Sequence, residues 1–266
     1  MALIFDDFAN TKVVNGTLSG WSPSPTLTNP SAVGFSTEFY RSAGRSLFIK
    51  ATGGQNNILL KRSETEFWGF GAFMIPPGFQ FDPDINKYIS FFGFHEYVQS
   101  GTGYGFLQAQ LWGDDLELVF KRELAVDGVS VDKEYFRPNI FIERGKWFTL
   151  KYHVVRHDTN GLLEVWKDGI KIVDWTGPTR YIQDHFAWMP MLHSGPQGTT
   201  QKTIYFDDVV LADAPFPTPT TYNVTIASTP IEVPVTINGA PVGSTPITVD
   251  VEEGSHKIEV PQEVNV

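Results

Sequence analysis

Hydrophobic and polar residues alternate in short runs through most of the chain, and the runs are cut by Gly, Pro, Asn and Asp. A period of two sends successive side chains to opposite faces of a pleated strand, so these runs predict strands rather than helices. They fall at Ser46–Ala51, Asn57–Arg62, Phe67–Ile75, Tyr88–Tyr97, Phe106–Trp112, Leu116–Glu123, Trp147–Arg156, Leu162–Lys167 and Thr203–Leu211. The turn chemistry between them is of the hairpin kind. Asp114-Asp115 separates two alternating runs, Asn160-Gly161 precedes Leu-Leu-Glu-Val-Trp, and Asp168-Gly169 follows it before Ile-Lys-Ile-Val. No long segment has helical apolar spacing, and the best helical stretch, Pro178 to His185, would last a turn or two. The expected fold class is all-β, a two-sheet antiparallel jelly-roll sandwich.

The pattern breaks at Ala212 to Thr221, where three prolines in five residues set φ, remove donors and favour an extended spacer. The expected organisation is a jelly roll over residues 1–213, a Pro-rich linker over 214–221 and a second unit over 222–266. In the second unit Tyr222–Ile226, Val233–Ile237, Ile247–Val251 and His256–Val260 read as four short strands. They are joined by Asn238-Gly239, Gly243-Ser-Thr-Pro246 and Glu253-Gly254.

Composition narrows the class of function. With 266 residues, 41% hydrophobic and 14% aromatic, the chain has apolar material for a large core, which excludes disorder over most of its length. It has no cysteine, so disulfides, thiolate nucleophiles and Cys-based zinc sites are excluded together. The net charge of −10 repels nucleic acid, and the excess concentrates after Thr220, where six acids face one base. No apolar run approaches the roughly 20 residues that span a bilayer, so the chain is not expected to be membrane-embedded. Met1 to Phe8 carries acids instead of a basic, then apolar, leader, so no signal peptide is expected in this sequence.

The run Val235-Thr-Ile-Asn-Gly-Ala-Pro-Val-Gly-Ser-Thr-Pro-Ile-Thr-Val249, followed by Glu253-Gly-Ser-His-Lys-Ile-Glu-Val260, resembles the PEGA family of surface-associated β modules. Gly239, Gly243, Thr245, Pro246 and Gly254 fall on its motif, and the resemblance implies a spacer or adhesive role. The sequence stops just after its last predicted strand, so the module is expected to be incomplete: either the parent protein is longer or a protein neighbour supplies that edge. The N-terminal part has a second resemblance, built from Phe5-Asp-Asp-Phe8, Leu60-Lys-Arg-Ser-Glu64, Phe91-Phe-Gly-Phe-His-Glu-Tyr97, Leu107-Gln-Ala-Gln-Leu-Trp112, Gly145-Lys-Trp147, Gly161-Leu-Leu-Glu-Val-Trp-Lys-Asp-Gly169 and Tyr205-Phe-Asp-Asp-Val209. It resembles the concanavalin A-like jelly rolls of the glucuronan lyase and heparin lyase families of polysaccharide lyases, and the related laminin-G-like lectins.

Alternation assigns faces. Strict parity puts Ile89, Phe91, Gly93, His95 and Tyr97 on one face of their strand and Tyr88, Ser90, Phe92, Phe94 and Glu96 on the other. On the next strand Gln108, Gln110 and Trp112 share a face while Leu107, Ala109 and Leu111 turn to the core. Amides beside an indole suit sugar, because an apolar ring face stacks on the aromatic while amides satisfy hydroxyls. Gln108, Gln110, Trp112 and the later Trp188 are therefore the expected carbohydrate-binding residues in a concave groove. Eliminative cleavage of a uronan needs a group to neutralise the carboxylate, a base for the C5 proton and an acid for the leaving oxygen. Arg62, His95, Tyr97 and Gln110 are the groups that could fill these roles, and the lyase resemblance implies a histidine on the Phe91–Tyr97 strand, an arginine at Arg62 and an assisting glutamine. The sequence departs from the family in the late strand: related lyases carry Tyr-x-Lys-x-Gly-x-Tyr, whereas Phe186-Ala-Trp-Met-Pro-Met-Leu192 stands here. Tyr181, Tyr97 or His193 are the groups that would replace the missing tyrosine.

Three other constellations bear on chemistry. Glu64 and Glu66 share a face by parity, as in retaining glucanases, but a Glu-Thr-Glu beside Lys61 and Arg62 reads first as a solvated strand end. Asp6, Asp7, Asp207 and Asp208 stand near the two ends of the sandwich in Phe-Asp-Asp settings and would hold a structural Ca²⁺ if the first and last strands pair. His153 and His157 lack a third zinc ligand. The reading that follows is a surface protein, extracellular or displayed on a cell or virion as an adhesin, that binds a polysaccharide or cell-surface glycan in the groove. The alternatives are a lyase cleaving a uronate polymer by β-elimination, and a structural surface or virion component.

Overall fold

The computed structural model describes residues 2–6, 13–14, 17–18, 26–27, 29–41, 44–52, 55–81, 88–96, 104–126, 129–179, 186–193, 200–215, 221–228, 232–237, 240–252 and 258–260. Its strands begin with β1 (Ala2–Asp6), β2 (Val13–Val14), β3 (Thr17–Leu18), β4 (Thr26–Leu27), β5 (Val33–Ser36), β6 (Ser46–Ala51), β7 (Gln55–Arg62) and β8 (Glu66–Met74). They continue with β9 (Tyr88–Glu96), β10 (Tyr104–Trp112), β11 (Glu117–Val126), β12 (Val129–Phe136), β13 (Trp147–Val155), β14 (Gly161–Lys167) and β15 (Ile170–Gly177). The remainder are β16 (Phe186–His193), β17 (Lys202–Ala212), β18 (Thr221–Ile226), β19 (Pro234–Ile237), β20 (Ala240–Ser244), β21 (Ile247–Glu252) and β22 (Ile258–Glu259). Among the described residues the only helix is a single 3-10 turn, Pro30–Ala32. Most of Pro178 to His185, the helical stretch considered above, lies outside the described residues.

Two antiparallel sheets build the first unit, residues 1–215. One runs β15-β14-β13-β8-β17-β6-β5, with β1 on the same edge of β17 as β6; the other runs β12-β11-β10-β9-β16-β7-β4. β17 has room for both neighbours because it is eleven residues long: Lys202–Phe206 pair with β6, and Val209–Ala212 with β1. The sheets face each other across an aromatic core and form the jelly-roll sandwich. Phe73 of β8 lies at its centre, edge-on to Phe91 at 5.1 Å and Phe92 at 5.7 Å from the facing sheet and to Phe206 at 5.6 Å from its own. Each such ring contributes about 1.5–3 kcal/mol by leaving water.

The hairpin turns follow the turn chemistry. In the β14–β15 hairpin Asp168 and Gly169 both have positive φ, 48° and 84°, as a two-residue turn that matches strand twist requires. Several strands escaped the alternation pattern, among them β5, β12, β16 and β20. β12 is exposed over nearly its whole length, so its apolar residues carry no core signal. β16 contains Pro190, a residue that ordinarily demotes a run from the interior of a sheet. Here β16 is central, and Pro190 borders an irregularity in its pairing with β9, where a missing N–H costs least.

The second unit, residues 216–266, pairs β18 with β21 and sets β19 between β20 and β22. Its buried residues include Val233, Val235 and Thr245. Thr245 accepts a hydrogen bond from the Val233 amide on Oγ1 at 3.0 Å and donates its own amide to the Val233 carbonyl at 2.9 Å.

Candidate functional site

The site begins with an irregularity that strict parity misses. Across β9 and β10, Phe106 pairs with His95, Gln108 with Gly93 and Ala109 with Phe92, but Gln110 pairs with Ser90, so Phe91 is an extra residue in a β-bulge. Phe91 and Phe92 both turn into the core with Ile89 and Phe94. The strict-alternation assignment above is therefore corrected: Tyr88 and Ser90 share the outer face with Gly93 and His95, while Ile89 and Phe91 do not. One inserted residue reverses the parity of everything before it.

The bulge completes a polar ladder. Gln110 Nε2 donates to Ser90 Oγ at 3.0 Å and to Gln108 Oε1 at 3.1 Å, Ser90 Oγ donates to Gln108 Oε1 at 3.1 Å, and the Trp112 indole N–H donates to Gln110 Oε1 at 2.8 Å. Gln110 is buried with both ends of its amide engaged. Gln108 is half-buried, and its Nε2 donates no hydrogen bond among the described residues. Gly93 keeps this region flat: a Cβ there would lie 2.5 Å from the Leu107 carbonyl and 3.2 Å from Gln108 Cγ.

At one end of the ladder Trp112 joins an aromatic and cationic corner that sequence reasoning missed. Tyr88 stacks on the indole at 5.3 Å, Tyr135 meets it edge-on at 5.6 Å, and the Arg137 guanidinium lies 4.8 Å from the ring centre while pairing with Glu117 at 2.6 Å. Burial, reinforced by Tyr135 and Glu123, holds the Tyr88 phenol above its ordinary range, so it stays protonated. The parity error on β9 hid Tyr88, and the exposure of β12 hid Tyr135.

His95 stands at the opposite end of the same face, six residues along β10 from Trp112 by register, or about 20 Å at 3.3–3.4 Å per residue. Its Nδ1 is 2.6 Å from the Glu96 carbonyl. A carbonyl only accepts, so Nδ1 carries the proton and the basic lone pair sits on Nε2. Burial lowers the imidazole below the usual histidine range, against a smaller upward pull from the Glu96 carbonyl. The neighbouring Glu96 side chain turns inward and pairs with the buried Arg156 at 3.3 Å. His193 occupies the row of Ser90 and Gln110, and its imidazole is lowered by burial and then by Lys121.

The other expected site residues are placed as follows. Arg62 ends β7 opposite Phe186, and Trp188 lies in β16 opposite Phe94 and Leu60, but the side chains of both lie outside the described residues. Tyr97 and Tyr181 lie outside them altogether. Glu64 precedes β8 instead of lying on it, so the glucanase-like pair does not share a strand; Glu66 instead meets His153 Nε2 at 2.9 Å. His153 Nδ1 is 2.8 Å from Glu164, and its ring stacks on Trp68 at 4.2 Å, on the outer face of the other sheet. Asp6 pairs by backbone with Val209 next to Asp207 and Asp208, while Asp7 is not described. The Asp207 carboxylate is buried and accepts from the Arg41 amide at 2.8 Å and the Asp208 amide at 2.9 Å, and Asp208 pairs with the Arg41 guanidinium. No metal-ligating cluster of three or more His, Cys, Asp or Glu occurs among the described residues.

The fold is a two-sheet jelly-roll sandwich with amides, an imidazole and aromatics on the outer face of one sheet. The polysaccharide lyase family model matches residues 14–210 and the PEGA domain model residues 221–264. The chain belongs to the polysaccharide lyase family and carries a PEGA domain behind it. Among solved structures it is similar to the endo-β-1,4-glucuronan lyase of the fungus Trichoderma reesei, at 14% identity and a TM-score of 0.52 over 80% of this chain and 95% of that one. It is also similar to alginate lyase Aly36B, at 16% identity and a TM-score of 0.51 over 79% of this chain and 96% of that one. A GH16 protein of a Bacteroides ovatus mixed linkage glucan PUL matches at 11% identity and a TM-score of 0.50, over 79% and 99%. These likenesses concern the fold. No curated protein matches the chain.

Proposed function

We propose that the protein is a lyase that cleaves a uronate-containing polysaccharide by β-elimination on the outer face of the seven-stranded sheet. The observation that carries the reading is His95: a partly buried imidazole, held neutral, with its Nδ1 proton committed to the Glu96 carbonyl. Nε2 takes the proton from C5 of the uronate; the C–H electrons form the C4=C5 double bond, the C4–O bond breaks, and the leaving oxygen takes a proton. The carbanion character that develops beside the carboxylate is stabilised by donors aimed at it. Gln108, oriented by Gln110 and Ser90, supplies an amide one row from His95, and Arg62 supplies charge. Tyr97, two residues beyond His95 in sequence, is the candidate for the leaving-group proton.

A second reading, non-catalytic polysaccharide recognition by a surface-displayed protein, is favoured by one observation: Phe186–His193 contains no tyrosine. Ultraviolet absorbance separates the two. Polymers of glucuronate, mannuronate and guluronate incubated with the protein should gain the absorbance of the conjugated double bond on at least one of them, and His95→Ala should abolish that gain while retention on the polymer persists. Retention without any double bond supports the recognition reading.

A further inference from the structure

Arg156 follows β13 in one sheet, yet its guanidinium reaches into the other. It is 5% exposed, and its charge partner Glu96, at the end of β9, is 3% exposed. Three contacts tie it to the two strand ends that bear the candidate catalytic groups. Nη2 donates to Glu96 Oε1 at 3.3 Å, Nη1 donates to the Glu64 carbonyl at 3.3 Å, and its backbone amide donates to the Thr65 carbonyl at 2.6 Å. Glu64 lies two residues after Arg62, and the Glu96 carbonyl is the acceptor for His95 Nδ1. A buried ion pair is poor value for stability alone, since well-packed apolar residues of similar volume do as well or better. Its placement calls for another account.

We infer that Arg156 is a positioning residue for His95: by anchoring the Glu96 side chain it fixes the Glu96 peptide, and through that carbonyl the tautomer and aim of the imidazole. This rests on His95 being the base proposed above. An imidazole released from a carbonyl acceptor at Nδ1 drifts toward the tautomer protonated on Nε2, whose only free lone pair, on Nδ1, does not face the substrate. Arg156 also acts on both sides of the site at once, because the Glu64 contact sets the connection that leaves Arg62.

The test uses the whole chain and reads His95 directly, by NMR of its imidazole nitrogens, beside steady-state kinetics on the responsive polyuronate. Circular dichroism reports whether each variant folds. In the unaltered protein the Nδ1–H tautomer should dominate. Arg156→Met should convert it to a mixture and lower kcat by about ten- to a hundredfold, the scale of a small misplacement of a reacting group, with KM little changed. Arg156→Lys, which keeps a charged donor, should restore part of both. A folded Arg156→Met protein with an unchanged His95 tautomer overturns the inference. Should that variant fail to fold, Glu96→Gln, which keeps the volume and an acceptor but removes the charge, takes its place: an unchanged His95 tautomer there is equally fatal. If no polyuronate yields a double bond, the proposed reaction falls, and the tautomer measurement still decides the role of Arg156.

Discussion

The base proposed at His95 works only while the imidazole is neutral, and burial favours that form by lowering its pKa. The sign follows. With its folded pKa below the usual value of about 6.5, the imidazole stays unprotonated as pH falls through 6.5, and activity is lost only further down. A pH–rate profile of kcat/KM whose acidic limb lies at or above 6.5 contradicts this. Stability moves with the same group, because the unfolded chain binds this proton more readily than the folded one. The contribution of neutral His95 is complete above about pH 6.5 and declines as pH falls below it, which urea titrations of the unaltered protein and His95→Ala across that range should reveal. Gln110 makes a different demand. Its buried amide serves Ser90, Gln108 and Trp112, so Gln110→Leu strands those partners and should lower stability by about 1–3 kcal/mol in chemical denaturation, whatever it does to sugar binding.

The β9–β10 pair is the element on which the site depends. Its bulge moves Tyr88 and Ser90 to the outer face, and its flat point, Gly93, lets β10 approach closely. Gly93→Ala places a Cβ against the Leu107 carbonyl, a backbone atom that yields only by strand separation. The variant should lose about 1–3 kcal/mol in a thermal or urea melt and bind uronate oligomers more weakly, because Gln108 is displaced. An unaltered melt would show that the strands separate there at little cost. The β14–β15 hairpin gives a separate test. Gly169 has φ of 84°, so Gly169→Ala should cost about 1 kcal/mol with no effect on ligand binding, since the turn belongs to the other sheet.

Two compact units make up the molecule, each with its own sheets. The residues proposed for catalysis and for sugar contact all belong to the first. A chain ending at Pro215 should keep the double-bond-forming activity and a melting temperature within a few degrees of that of the corresponding transition in the full chain, as scanning calorimetry can establish. The second unit carries half of the net charge, −5 of −10, in about a fifth of the chain, and it holds none of the residues proposed for catalysis.

Local physics set most of the long strands, their antiparallel hairpins and the all-β class, because period-two alternation and Asp-Gly turns act over a few residues. The strand Ser46–Ala51 and the start of the strand at Tyr88 needed nothing more. Tertiary structure decided what alternation cannot encode. A bulge adds one residue without changing composition, so Phe91 alone reversed the faces of Tyr88 and Ser90. β16 is a central strand despite Pro190, because the sheet places the missing donor next to an irregularity in the pairing. Arg156 and Glu96, sixty residues apart and on different sheets, meet only because the sandwich closes. Such contacts depend on which strands become neighbours, and that choice belongs to the closed fold, where non-local pairing and burial outweigh local preference.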